Sequence, residues 1–331
     1  MMGLLVQGQW QDQWYDTEVS KGEFVRQASA FRNWITVSGD AGPTGEGGFK
    51  AEKGRYHLYV SLACPWAHRT LIFRVLKGLE DYIGVTVVDP LMGEHGWVFQ
   101  QEAAADENTY GYQYLHQLYS RVDPAITSRV TVPLLWDKQQ QTIVSNESSE
   151  IIRMFNSAFN HLTGNTVDYY PEAQRAEIDA WNDAIYPAVN NGVYRAGFAT
   201  TQQAYEQAYT QLFAMLDKLE QHLATHRYLV GAVISEADWR IFTTLVRFDA
   251  VYFGHFKTNQ QRIADYPNLS AYVRDLYQQP GVAATVDMQH IKQHYYRSHG
   301  TINPTGIVPL GQEHDFMQPH DRALLSKRSS E

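Results

Sequence analysis

The sequence predicts a small α/β domain followed by an all-helical one. Three observations carry that expectation. Between residues 56 and 155, short β-branched and aromatic runs alternate with segments whose apolar residues recur at three- and four-residue spacing. After Tyr169-Tyr170-Pro171 only the helical spacing remains. The single cysteine of the 331 residues, Cys64, falls where the first strand-like run gives way to the first helix.

Residues 1–50 read as an extension ending in the loop Gly39-Asp40-Ala41-Gly42-Pro43-Thr44-Gly45-Glu46-Gly47-Gly48. A phosphate cradle needs Gly-Lys-Ser/Thr with a helix behind it. Neither follows, so the loop reads as a flexible connector. Residues 56–62 are the first strand and 67–79 the first helix, with Leu71, Ile72, Val75, Leu76 and Leu79 on one face. A second strand is expected at 85–89. The polar stretch 92–128 is too long for an ordinary connection and reads as an insert, functional or partly disordered. A hairpin-like pair, 130–136 and 142–144, turns at 137–141. Ser145-Asn146-Glu147-Ser148-Ser149-Glu150 then opens a helix through Ile151, Ile152 and Phe155. This order, β-α-β-insert-β-β-α, makes one domain over 51–165.

The helical domain is expected over 170–290, with helices at 174–189, 202–223, 235–251 and 269–277. The third starts on Ser235-Glu236-Ala237-Asp238, a capping-box pattern. Residues 291–331 read as a tail laid over the surface.

Composition sets the outer limits. With 44% hydrophobic and 19% charged residues, the chain can bury a large core. A net charge of −9 argues against nucleic acid or an anionic membrane as the main partner. Small acidic substrates stay open, because a local pocket needs only one or two arginines. We read no signal peptide and no membrane span. A single cysteine without a targeting segment points to the reducing cytosol, a cytoplasmic protein.

Cys64 precedes Pro65, which suits the first helical position because its missing N–H is not needed there. A thiol at a helix N-terminus meets unpaired N–H groups and the positive end of the helix dipole, and both favour the thiolate. The bland alternative is a small buried hydrophobe. Ala67 stands where a Cys-x-x-Cys motif would place its second thiol, so the site is monothiol and an outside thiol must resolve any disulfide. An ordinary thiol is about 3% ionised at pH 7, so full ionisation gains about thirtyfold in thiolate. A pKa drop of about 3 units costs roughly fifteen- to thirtyfold in nucleophilicity. The two nearly cancel for attack. The gain falls on the later step, when Cys64 must leave as an anion.

Elsewhere the residues alone leave alternatives open. Val132-Pro133 is an edge strand with an awkward proline, or something more specific. Glu147 and Ser148 at a helix start are either caps or ligand-binding groups. His290 and His294, four apart with His299 behind them, mimic helical metal ligands, but no metalloprotease-like Glu accompanies them, so no metal is expected. His68 is expected to pack or cap rather than act as a base.

Five segments together resemble the glutathione transferases, and among them the Xi class, the glutathionyl-hydroquinone reductases. They are Cys64-Pro65-Trp66-Ala67-His68-Arg69, Arg129-Val130-Thr131-Val132-Pro133, Ser145-Asn146-Glu147-Ser148, Asn190-Asn191-Gly192-Val193-Tyr194 and Asn303-Pro304-Thr305-Gly306. The resemblance implies a thioredoxin-like N-terminal domain, an all-α C-terminal domain, an active site in the cleft between them, and a homodimer. It implies that Pro133 is cis and that the Val132 backbone holds the cysteinyl unit of glutathione. Ser148 would bind the γ-glutamyl carboxylate and Glu147 its ammonium. Arg129 would pair with a carboxylate and Trp97 would cover the peptide, while Trp66 packs beside the thiol. Tyr194, Tyr252 and Tyr295 would supply the quinone half; with 21 tyrosines in the chain, spacing alone cannot single them out, and Tyr296 competes with Tyr295.

The activity so implied is reduction of a glutathionyl-hydroquinone through a Cys64–glutathione mixed disulfide, with glutathione as co-substrate and no metal. The alternatives are reduction of dehydroascorbate or of protein–glutathione disulfides, and a non-catalytic scaffold of the same fold.

Overall fold

A computed structural model describes residues 3–100, 107–311 and 314–328. The chain divides into two compact units. The first takes in the chain up to Trp14, Gln27–Asp168 and Thr285–Ile307; the second takes Tyr15–Arg26, Tyr169–Ala284 and the chain from Val308. The first fifty residues are therefore not a separate extension but are shared between the units.

In the first unit, strands β1 (Leu4–Val6) and β2 (Gln9–Gln11) form a hairpin. The central strand β3 (Tyr56–Val60) is buried along its whole length, and its one strongly polar side chain, His57, meets Thr86 Oγ1 at 2.7 Å. Helix α1 (Pro65–Leu76) leads to β4 (Ile83–Val87), parallel to β3 with Leu58 opposite Val85. The insert carries helix α2 (His116–Val122); its stretch 101–106 lies outside the described residues.

Strand β5 (Ser128–Arg129) pairs with β1, and β6 (Leu134–Asp137) pairs antiparallel with both β3 and β7 (Thr142–Ser145). The expected strand 130–136 is thus split. Residues 130–133 belong to neither strand, and Pro133 has no N–H to give to a ladder. The four-stranded order β4-β3-β6-β7, with α1 packed against α3 (Ser148–Ser157), is the thioredoxin-like arrangement. The short helix α4 (Asn160–Thr163) ends on Gly164 at φ 74°, a left-handed cap that glycine adopts without strain. A buried ion pair ties the sheet together: the Arg55 Nε lies 3.1 and 3.0 Å from the two Asp137 oxygens.

The second unit is helical. Helix α5 (Arg175–Ile185) runs into a π-helical turn, Tyr186–Asn190. It is followed by α6 (Gly192–Gly197) and the 22-residue α7 (Gln202–Leu223). Thr201 caps α7 by accepting the Ala204 N–H. The stripe Ala204, Ala208, Leu212, Phe213, Leu216, Leu219 and Leu223 is buried. Each large member contributes about 1.5–3 kcal/mol.

Helix α8 (Glu236–Arg247) opens on the expected capping box, with the Ser235 N–H on the Asp238 carboxylate at 2.8 Å. It too passes into a π-helical turn, Phe248–Tyr252, and then α9 (Phe253–His255). Helix α10 (Pro267–Tyr277) follows.

Residues from 291 on are not simply a surface tail. Helix α11 (Met288–Ser298) belongs to the first unit and buries His290, Ile291, His294, Tyr295, Tyr296 and Ser298. Its inner face is built from histidine and tyrosine, so a hydropathy pattern does not reveal it. The last helix among the described residues, α12 (Ala323–Arg328), follows Arg322, whose buried guanidinium donates to the carbonyl oxygens of Leu223, His226 and Arg227 at and just past the end of α7. No helix among the described residues is long and apolar enough to cross a membrane.

Candidate active site

Strand β3 delivers the chain to a tight turn, Ser61 to Cys64, in which the Cys64 N–H donates to the Ser61 carbonyl at 3.1 Å. Cys64 is the N-cap of α1: its backbone is extended (φ −75°, ψ 119°), Pro65 takes the first helical position, and its carbonyl accepts the His68 N–H at 2.9 Å. The side chain is half-buried, and its Sγ donates to the Val132 carbonyl at 3.4 Å. The Val132–Pro133 peptide is cis, as the resemblance implied. Two of the expected residues, the thiol and Val132, therefore meet directly.

Around the turn, Arg69 lays its guanidinium over the Trp66 ring at 4.6 Å. His68 is buried with its Nε2 2.7 Å from Thr285 Oγ1, a packing role. His290 Nε2 lies 3.3 Å from Ser61 Oγ, which also accepts the Ala63 N–H. His294 is bonded elsewhere, through Nδ1 to the Pro90 carbonyl at 2.8 Å. Among the described residues no group of three His, Cys, Asp or Glu is arranged to hold a metal ion.

Glu147 caps α3. One oxygen accepts the Ser149 N–H at 3.0 Å and its hydroxyl at 2.7 Å; the other accepts the Ser29 hydroxyl at 2.9 Å. Burial pushes the carboxyl's pKa up, but these bonds and the positive charge of Arg69 outweigh it and hold it below the ordinary value. Ser148 is buried as the first residue of the helix. Arg129, on β5, is buried and donates to the carbonyl oxygens of Gln13 and Trp14, the latter at 3.0 Å. Trp97 is 4% exposed and stacks on His294 with ring centroids 5.1 Å apart. Its Nε1–H is buried and has no hydrogen-bond partner among the described residues. Tyr295, 1% exposed, stands edge-on to His294 and His299. Tyr296 is also buried, and its carbonyl takes the Asn303 amide at 2.7 Å.

Tyr194 and Tyr252 lie in the second unit, their rings 6.0 Å apart. Tyr252 ends one π-helical turn and stacks on Phe256 at 5.4 Å; Tyr194 follows the other π-helical turn by four residues. Such turns add a residue to a helix and often mark functional sites. Arg26 places its guanidinium 5.1 Å from the Tyr194 ring and bonds Asn191 Oδ1 at 3.1 Å. The residues to which sequence reasoning gave no role are Arg69, Ser29 and Arg26, and His290, weighed only as a metal ligand, instead meets Ser61. Arg69 alone carried a local signal, lying five positions after Cys64.

Comparison with known proteins finds relatives over nearly the whole chain. The family models for the glutathione S-transferase N-terminal and C-terminal domains match residues 63–158 and 202–275. Glutathionyl-hydroquinone reductase YqjG of Escherichia coli is 58% identical, over 97% of this chain and 98% of that one. Glutathionyl-hydroquinone reductase PcpF of Sphingobium chlorophenolicum is 53% identical, over 94% and 96%. The glutathione-bound structure of YqjG superposes with a TM-score of 0.89 at 54% identity, covering 97% of this chain and 99% of that one. A Xi-class transferase from Natrialba magadii gives 0.88 at 47% identity, covering 98% and 97%.

Proposed function

The chain belongs to the glutathione transferase family, in its Xi class, and on that footing we propose that it reduces glutathionyl-hydroquinones to hydroquinones at the expense of glutathione. The observation that carries the chemistry is Cys64: the chain's single thiol, half-exposed at the start of α1 and touching the Val132 carbonyl.

The Cys64 thiolate attacks the glutathionyl sulfur of the substrate. A disulfide bond forms as the sulfur–aryl bond breaks, and the ring carbon takes the bonding pair and a proton, leaving as hydroquinone. A second glutathione, as thiolate, then attacks the mixed disulfide. Oxidised glutathione departs and the Cys64 thiolate is restored. Two glutathionyl sulfurs are oxidised and one ring carbon is reduced.

In this reading Val132 holds the cysteinyl unit of glutathione through its backbone, and Glu147 and Ser148 take the γ-glutamyl end. Trp97 offers its Nε1–H, and Arg129 serves a carboxylate. The hydroxyls of Tyr194, Tyr252 and Tyr295 hydrogen-bond the hydroquinone oxygens and steady negative charge on them. The protein acts in the cytoplasm as a homodimer.

Turnover of a glutathionyl-hydroquinone with excess glutathione, wild type beside Cys64→Ala, tests the proposal. Hydroquinone release by the wild type and none by the variant is expected. Equal rates would remove Cys64 from the mechanism, and no release by a folded wild type would refute the activity.

A further inference from the structure

Tyr119, on α2 of the insert, is wholly buried, and its hydroxyl bonds both backbone groups of Thr131 and the side chain of Asn146. It donates to the Thr131 carbonyl at 3.0 Å, accepts the Thr131 N–H at 3.2 Å and accepts the Asn146 Nδ2–H at 3.2 Å. Asn146 in turn donates to Thr131 Oγ1 at 3.1 Å and accepts the Phe31 N–H at 3.1 Å. Phe31 closes the group by meeting the Tyr119 ring edge-on at 5.7 Å. Burial raises the phenol's pKa against these bonds, so the hydroxyl keeps the proton it donates.

Thr131 lies in neither β5 nor β6. In an antiparallel pair, one residue sends both its N–H and its C=O to the partner strand, and the next residue points the other way. The Tyr119 hydroxyl stands where a partner strand would be for Thr131. Val132 faces the opposite side, and its carbonyl is the one that meets the Cys64 sulfur.

We propose that Tyr119 is a positioning residue for glutathione: its hydroxyl, steadied by Asn146, fixes the Thr131 peptide so that Val132 presents its backbone to the glutathione cysteinyl unit. The insert thereby has a task, which is to carry the hydroxyl that replaces a strand. The inference rests on the reading of Val132 as a glutathione-holding residue.

Tyr119→Phe removes the hydroxyl and keeps the ring. The glutathione KM in turnover and the calorimetric Kd for glutathione should each rise about fivefold, the worth of one ordinary hydrogen bond, with kcat within about twofold. The control is Tyr110→Phe, also in the insert, whose hydroxyl accepts the Trp136 Nε1–H at 2.9 Å in a separate network. It should leave KM unchanged. A Tyr119→Phe enzyme with the wild-type KM, or an equal KM rise in both variants, overturns the inference.

Amide hydrogen exchange on the wild-type protein decides the matter even if the variant does not fold. The Thr131 amide should be protected before glutathione is added, and the Val132 amide should gain protection with it. A Thr131 amide that exchanges like an open loop overturns the inference. A wild type that turns over no glutathionyl-hydroquinone overturns the functional reading and this inference with it. That result is distinct from a working enzyme matched by Tyr119→Phe.

Discussion

Each unit contains a helix capped by a carboxylate, Glu147 at the N-cap and Asp238 in the first turn, and the two are shifted in opposite directions. In sequence they look alike: Glu147 lies in Ser145-Asn146-Glu147-Ser148, Asp238 in Ser235-Glu236-Ala237-Asp238. Both accept several hydrogen bonds. Asp238 takes the N–H and hydroxyl of Ser235, the Leu229 N–H and the Tyr272 hydroxyl. It is fully buried, and that burial outweighs all four bonds and raises its pKa. Glu147 keeps a partly exposed edge, has Arg69 to favour its charge, and its pKa is lowered. The number of bonds does not set the direction of the shift; access to water and a nearby positive charge do.

The largest expected effect breaks the buried member. Asp238→Ala leaves four donors without their acceptor and should lower the unfolding free energy by roughly 4 kcal/mol in a urea titration. The glutathione KM of the folded protein should not move. Glu147→Gln should do the reverse, raising the glutathione KM about tenfold through loss of one charge-assisted bond while stability changes by less than about 1 kcal/mol. If that KM stays put, Glu147 is a cap like Asp238 and the contrast collapses.

The pH dependences should have opposite signs. Glu147 has a lower pKa folded than unfolded, so its contribution is present above the ordinary 4.5 and lost as pH falls through the lowered value. The ratio of wild-type to Glu147→Gln glutathione affinity should follow the same course. Asp238 has a higher pKa folded than unfolded, so its contribution is fully present below 3.8 and declines as pH rises through the raised value. Asp238→Asn should remove that decline from denaturation measured across the acid range. The smallest effect is expected from Ser29→Ala, which deletes one bond to Glu147 and should raise the glutathione KM about two- to threefold.

Legibility in the sequence followed how local each feature is. The helix expected at 202–223 is α7 with the same bounds, because 22 residues carry six turns of periodic signal and a Thr cap. The Cys64-Pro65 junction could be read for the same reason: strand, thiol and helix start are neighbours. Strands of two or three residues, such as Leu4–Val6 against Ser128–Arg129, are too short to show a period, and their partner lies far along the chain. The π-helical turns read as plain helix, since one added residue hardly disturbs a pattern. The inner face of Met288–Ser298, made of His290, His294 and Tyr295, looks polar until it is buried. Ser29 and Tyr119 gave no signal at all; each acts on a residue brought to it only by the fold.

The central claim is that Cys64 carries glutathione as a mixed disulfide between two half-reactions. The most direct test mixes enzyme with excess glutathionyl-hydroquinone in the absence of free glutathione, following hydroquinone release and intact protein mass. The account predicts a burst of one hydroquinone per chain and one glutathione bound to Cys64, discharged as oxidised glutathione when free glutathione is added. Continued release without free glutathione, or a burst with no adduct on Cys64, would contradict it.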